Sequence, residues 1–108
     1  MVFKNGMRPV HPGEVLREEF LAPLDMSANA LAKALGLTPS RVNDIVREAR
    51  GVTADTAVRL ARYFGGDAQF WVNLQATYDL RTAERSAQTK KAVRNIQPRE
   101  NTNAYEAA

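Results

Sequence analysis

The sequence predicts an all-α fold of five helices followed by a polar tail. Three observations lead to this fold class. No segment alternates polar and apolar residues over the length of a strand. Apolar residues instead recur at intervals of three and four, as on one side of a helix. Most of these stretches lie between a residue suited to a helix N-terminus and a Gly or Pro that can end a helix.

The first helix is expected to begin at Pro12 and to end near Leu21. Residues 1–10 carry little helical signal and form an N-terminal extension. Proline suits a first helical turn, and Glu14 places a negative charge near the positive end of the helix dipole. Pro23 should end the helix, because proline is not tolerated in a helix interior. The apolar side of this helix consists of Val15, Leu16 and Phe20.

Residues 26–50 predict two short helices joined by a tight turn. Ser27 is a good N-cap for the first helix, and Gly36 suits the left-handed position that ends it. Thr38 caps the second helix, with Pro39 at its first position. Two short helices, a Gly-containing turn and a polar outer side are typical of a helix-turn-helix motif. In that motif the second helix enters the major groove of DNA.

The polar side of the second helix of this pair supplies the candidate DNA contacts. Arg41 can reach a guanine edge, and Asn43 can pair with adenine if it faces the groove. Asp44 can accept from a cytosine amino group or orient Arg41. Arg47 and Arg50 are expected to hold phosphates, which fixes register without reading sequence. The alternative is an ordinary solvated helix face. The predicted DNA contacts are Lys33, Thr38, Pro39, Ser40, Arg41, Asn43, Asp44, Arg47 and Arg50.

Two further helices are predicted after this motif. Thr53 should cap the fourth helix, which a Gly-Gly pair ends. Asp67 should cap the fifth, which ends between Leu80 and Ala87. The chain from residue 88 to residue 108 is expected to be a mostly disordered, flexible basic tail. Residues 11–87 then form the helix-turn-helix and dimerisation domain.

The fifth helix carries a large apolar stripe at spacings of three and four. One interpretation is that the stripe belongs entirely to the core. The other is that it serves both the core and a two-fold dimer interface. A dimer would also set two recognition helices about one turn of DNA apart, roughly 34–36 Å. The stripe, and the predicted homodimer interface, consists of Phe70, Trp71, Leu74 and Tyr78.

Composition narrows the possible functions. The net charge of +3 and the pI near 9.6 are compatible with nucleic-acid binding. The chain has no Cys, which excludes a disulfide scaffold or thiolate metal site and fits a reducing cytoplasm. No apolar run approaches the ~20 residues that cross a bilayer, and residues 1–13 lack the apolar core of a signal peptide. The only histidine, His11, is expected to be a cap or surface residue. We therefore predict a cytoplasmic protein that is not an enzyme and needs no metal or cofactor.

Four sequence blocks strongly resemble the HigA-type antitoxins of bacterial toxin–antitoxin modules, within the Xre/Cro-like (lambda-repressor-like) helix-turn-helix class. In order, they are HPGEVLREEFLAPL, SANALAKALGLTPSRVNDIV, RGVTADTAVRLARYFGG and FWVNLQATYDL. The resemblance implies a small α-helical homodimer with two activities. It would neutralise a HigB-type toxin, a ribosome-dependent mRNA endonuclease of the RelE-like class. It would also repress its own operon by binding a palindromic operator. The alternative is a stand-alone Xre-type repressor of a phage or mobile element, without a toxin partner.

The sequence departs from this family directly after Ser27, which caps the first helix of the helix-turn-helix pair. Many relatives have a glutamine there, and it contacts a phosphate. This chain has Ala28 instead, so that contact is not carried over. Asn29 and Lys33 are candidates to replace it.

Overall fold

The computed structural model describes residues 8–100, and within them the backbone is helical with no strand. This confirms the all-α fold class, with six helices in place of the five expected. Helix α1 consists of three continuous segments, Pro12–Val15, Leu16–Leu21 and Ala22–Leu24. The others are α2 (Ala28–Leu35), α3 (Pro39–Val46), α4 (Ala54–Phe64), α5 (Ala68–Arg85) and α6 (Ala87–Arg94).

Helix α1 extends past Pro23, which was expected to end it. Its middle segment is a π-helix, a wider turn with hydrogen bonds from residue i to residue i+5. Pro23 lies at the start of the short α-helical turn that follows, where a missing N–H is tolerated. The helix ends instead at Asp25, whose backbone is left-handed (φ 51°, ψ 43°).

The predicted N-caps are confirmed. In each case the side-chain oxygen of the capping residue accepts a hydrogen bond from a backbone N–H in the first turn, as capping requires. The bonds join Ser27 to Ala30 (3.0 Å), Thr38 to Arg41 (3.2 Å), Thr53 to Thr56 (3.3 Å) and Asp67 to Gln69 (2.9 Å).

One core unites the first five helices. Its aromatic part is a contact of Phe20 with Phe64 and Trp71, at ring-centroid distances of 4.9 and 5.1 Å. Because α3 buries its own apolar stripe in this core, its polar side faces outward. The buried apolar residues are Val15, Leu16, Leu21, Leu31, Ala32, Leu35, Val42, Ile45, Val52, Ala57, Leu60 and Trp71.

The chain from residue 88 onward was expected to be mostly disordered, but helix α6 extends to Arg94, so that prediction is wrong for these residues. The hydroxyl of Ser86 accepts from the N–H of Thr89 (3.3 Å) and caps the helix. All residues of α6 are exposed, so the helix depends on its cap and on helix-favouring Ala, Gln, Lys and Arg rather than on burial. Residues 1–7 of the predicted extension and 101–108 of the predicted tail lie outside the described residues. None of the helices described is long and apolar enough to cross a membrane.

Candidate DNA-binding interface

Helices α2 and α3 are joined by a turn that α4 holds in place. Gly36 takes the left-handed conformation (φ +70°) that was expected at the end of α2. From α4, the guanidinium of Arg59 donates to the carbonyl oxygens of Leu35 (2.8 Å) and Gly36 (3.3 Å). Asp55 orients the same guanidinium through a 3.0 Å ion pair. The turn between the two helices is therefore fixed by contacts from outside the motif.

The nine residues proposed to contact DNA are all exposed or half-buried. On the opposite side of α3, Val42 and Ile45 are each only 1% exposed. The exposed members lie on the last turn of α2, at the start of α3 and just after its end. They are Lys33, Thr38, Pro39, Ser40, Arg47 and Arg50, while Arg41, Asn43 and Asp44 are half-buried.

Arg41 is not oriented by Asp44, which was one of the two roles considered for that carboxylate. The Asp44 carboxylate instead lies between Arg47, with which it forms an ion pair, and Arg50, at 3.6 Å. Among the described residues, the buried Nε of Arg41 has no hydrogen-bond partner. Asp44 thus contacts both of the proposed phosphate-binding arginines, while no acidic residue within residues 8–100 forms an ion pair with Arg41.

Helix α1 contacts α3 at its C-terminal end. Arg17 donates to the carbonyl oxygen of Val46 and forms a 3.3 Å ion pair with Glu48. Glu48 has a left-handed backbone (φ +66°) just beyond α3. Gly13 approaches so closely that a Cβ atom there would lie 1.8 Å from the carbonyl oxygen of Ile45. Neither Gly13 nor Arg17 was predicted to have a role, although together they position the proposed recognition helix.

His11 is the N-cap of α1. Its Nδ1 accepts from the N–H of Gly13 (2.8 Å), and the residue is only 3% exposed. Its ring makes an edge contact with Tyr78, with centroids 4.8 Å apart. Burial lowers the pKa of His11, and the opposing effect of Glu48 and Asp79 is smaller.

The lowered pKa of His11 predicts a loss of stability in mild acid. Below its ordinary pKa of about 6.5, the unfolded chain binds a proton that the folded chain does not yet bind. The free energy of unfolding should therefore be constant above that pH and decrease as the pH falls below it. Urea unfolding from pH 8 to pH 5 measures the decrease. His11→Asn keeps a capping acceptor without the titration, and should flatten the profile over this range. An equal decrease in the variant would assign the effect to other groups.

The apolar stripe of α5 is divided between the core and the surface. Trp71 is only 2% exposed and is therefore a core residue, so it is removed from the predicted dimer interface. Phe70, Leu74 and Tyr78 are half-buried. The first two lie on the floor of a groove of about 700 Å³ between α5 and the chain that precedes α1. The groove is lined by Arg8, Pro9, Val10, Phe70, Asn73, Leu74, Thr77, Arg81, Glu84 and Arg85.

Comparison with known proteins agrees with this geometry. A family model described as helix-turn-helix matches residues 16–71. "Virulence-associated protein I" of Dichelobacter nodosus is 64% identical over 86 residues, which cover 80% of each chain. "Antitoxin HigA-1" of Vibrio cholerae is 40% identical over 78 residues, 71% of this chain and 72% of that one. A solved structure of Pseudomonas aeruginosa antitoxin HigA with the higBA promoter is 55% identical, with a TM-score of 0.79, covering 84% of this chain and 98% of that one. The chain belongs to the HigA antitoxin family of helix-turn-helix proteins.

Proposed function

We propose that this protein is a bacterial cytoplasmic antitoxin that binds a palindromic operator to repress its own operon and neutralises a HigB-type toxin. The observation that carries operator binding is the outward polar side of α3, next to a turn that Arg59 fixes. A HigA with 55% identity has been solved with promoter DNA, which supports the same use of this surface. The family is one of DNA-binding regulators, and the protein is not an enzyme.

Within this surface, the two ends of α3 have different roles. Arg41, near the N-terminal end, reads a base edge. Its side chain forms no ion pair within residues 8–100, so its guanidinium can donate to a guanine. Arg47 and Arg50, which share Asp44, hold phosphates. Exposed ion pairs contribute little to stability, so the arrangement is better suited to orienting the arginines than to holding the fold.

Substitutions of the two arginine types should separate base reading from phosphate binding. Arg41→Ala is expected to cost about 1–3 kcal/mol on the operator and to relax preference at one base pair. Arg47→Ala should weaken all sequences alike and reduce the slope of log affinity against log salt by about 1. Fluorescence anisotropy with operator and scrambled duplexes, over a salt series, measures both. Arg62→Ala, on α4 outside the motif, serves as the control. If both variants bind as tightly as the parent, α3 is not the recognition helix.

The protein acts as a homodimer through the exposed part of the α5 stripe. Phe70 and Leu74, which are both half-buried, leave an apolar groove floor accessible. Apolar surface of this kind is typical of a contact between subunits. A two-fold dimer also supplies the second recognition helix that a palindrome requires.

Co-expression tests the antitoxin activity. The product of the neighbouring upstream gene, expressed alone, should stop growth, and this protein should restore it. The Arg41→Ala variant should restore growth equally well, since the toxin-binding surface is expected to be separate from α3. A neighbour that is harmless, or whose toxicity this protein does not relieve, would favour the stand-alone repressor instead.

A further inference from the structure

Two asparagine side chains join the helices of the motif directly. Asn29 lies in the first turn of α2, and Asn43 lies in the middle of α3. The Nδ2 of Asn43 donates to the Oδ1 of Asn29 and to the carbonyl oxygen of Pro39, both at 2.8 Å. Both amide protons of Asn43 are therefore used within the protein.

The orientation of these two amides is determined by their surroundings. The carbonyl oxygen of Pro39 can only accept, so the atom of Asn43 that faces it must be the nitrogen. That nitrogen also faces Asn29, so Asn29 must present its oxygen. Exchanging oxygen and nitrogen in either side chain would place two acceptors or two donors in contact.

This orientation restricts what Asn43 can recognise. Pairing an asparagine with adenine in the usual bidentate way requires its Nδ2 to donate to the base N7. Here that donor is occupied twice, and the side-chain oxygen is the only polar group of Asn43 without a partner among the described residues. An oxygen alone can accept from the exocyclic amino group of adenine or cytosine, and it finds no donor on the major-groove edge of guanine or thymine.

We propose that Asn29 is a positioning residue for operator specificity, and that it holds Asn43 as a pure acceptor that selects an amino-bearing base. This inference rests on the proposed reading of DNA by α3. It narrows the pairing with adenine that was considered for Asn43 to a single accepted hydrogen bond. It also gives Asn29 a role distinct from the phosphate contact for which Asn29 was a candidate.

Modified operator bases provide the test. The Asn43→Ala variant first identifies the contacted position, as the one where base preference is lost. In duplexes with adenine placed at that position, removing its 6-amino group (purine in place of adenine) should weaken binding to wild-type protein about three- to tenfold, the effect of one hydrogen bond. Replacement of adenine by 7-deazaadenine should change affinity less than twofold, because N7 is not used. A wild-type protein that is equally sensitive to both changes would overturn the inference.

Variants at Asn29 test the positioning role itself. Asn29→Ala frees the amide of Asn43, so 7-deazaadenine should now weaken binding about three- to tenfold and adenine should be preferred over cytosine. Asn29→Asp keeps the accepting oxygen. It should retain the wild-type pattern of relative affinities while binding all duplexes more weakly, because it adds a negative charge. An unchanged pattern in Asn29→Ala would contradict the proposal.

If Asn43→Ala alters no position while Arg41→Ala does, this inference fails and the reading of DNA by α3 stands. If neither variant alters a preference, the proposed function fails.

Discussion

Gly13→Ala should destabilise the fold by about 3 kcal/mol or more and should weaken operator binding with it. A Cβ atom at this position would lie 1.8 Å from the carbonyl oxygen of Ile45. The Cβ is fixed rigidly to the backbone of α1, and the oxygen belongs to the backbone of α3. No rotamer change can relieve such a contact, so α1 must move away from α3. Overpacking of a dense interior typically costs 1–3 kcal/mol, and a backbone clash is at the upper end of that range or beyond it. The displacement would also strain the bond from Arg17 to Val46 that holds the end of α3.

Gly51→Ala is the matched control for this prediction. A Cβ atom there would meet only the side chain of Gln75, at 2.8–2.9 Å. That side chain can rotate away, at the cost of its 2.7 Å hydrogen bond from the N–H of Val52. We expect a loss of about 1 kcal/mol, close to one hydrogen bond. Urea unfolding measures both variants, and operator affinity should be measured where each is folded. Equal stability of the two variants would show that moving α1 away from α3 costs no more than the loss of one hydrogen bond.

Features of the DNA-binding motif that depend on nearby residues could be predicted from the sequence, and the long-range contacts that fix α3 could not. The caps at Ser27 and Thr38 and the outward side of α3 depend on neighbouring residues and helical periodicity, so the sequence alone predicts them. The approach of Gly13 to Ile45 joins residues far apart in the chain, and no local pattern marks it. Arg17, for which no local pattern predicted a role, likewise binds the distant end of α3.

The structure differs from the predicted secondary structure at the end of α1 and at α6, and each difference has a local cause. Pro23 was expected to end α1, but the π-helical segment before it starts a new short turn in which proline is acceptable. Helix α6 was missed because periodicity detects burial, and α6 buries nothing. Its signal was the serine cap followed by helix-favouring residues. The partners of Asp44 depend on side-chain conformations, since spacing alone allowed Arg41 and Arg47 equally.

Trp71→Ala should lower the free energy of unfolding by about 3–5 kcal/mol. The indole is 2% exposed and contacts both Phe20 and Phe70, at centroid distances of 5.1 Å. Small domains have total stabilities of about 5–15 kcal/mol, so the loss is a large share of the total and should lower the Tm markedly. Trp71→Phe keeps an aromatic ring in the cavity and should fold. Circular dichroism and thermal unfolding measure both variants.

Leu74→Ala separates the core from the dimer interface on the same helix. Leu74 is half-buried at the floor of the groove, so its truncation should cost the monomer less than Trp71→Ala does. Its larger effect should be on assembly, as a rise in the dimer dissociation constant that sedimentation equilibrium measures directly. Weaker assembly should also weaken binding to a palindrome more than binding to a half-site, because only the palindrome uses both recognition helices. If Trp71→Phe dissociates the dimer and Leu74→Ala leaves it intact, the subunit contact does not lie in the groove, and the exposed stripe of α5 has another partner.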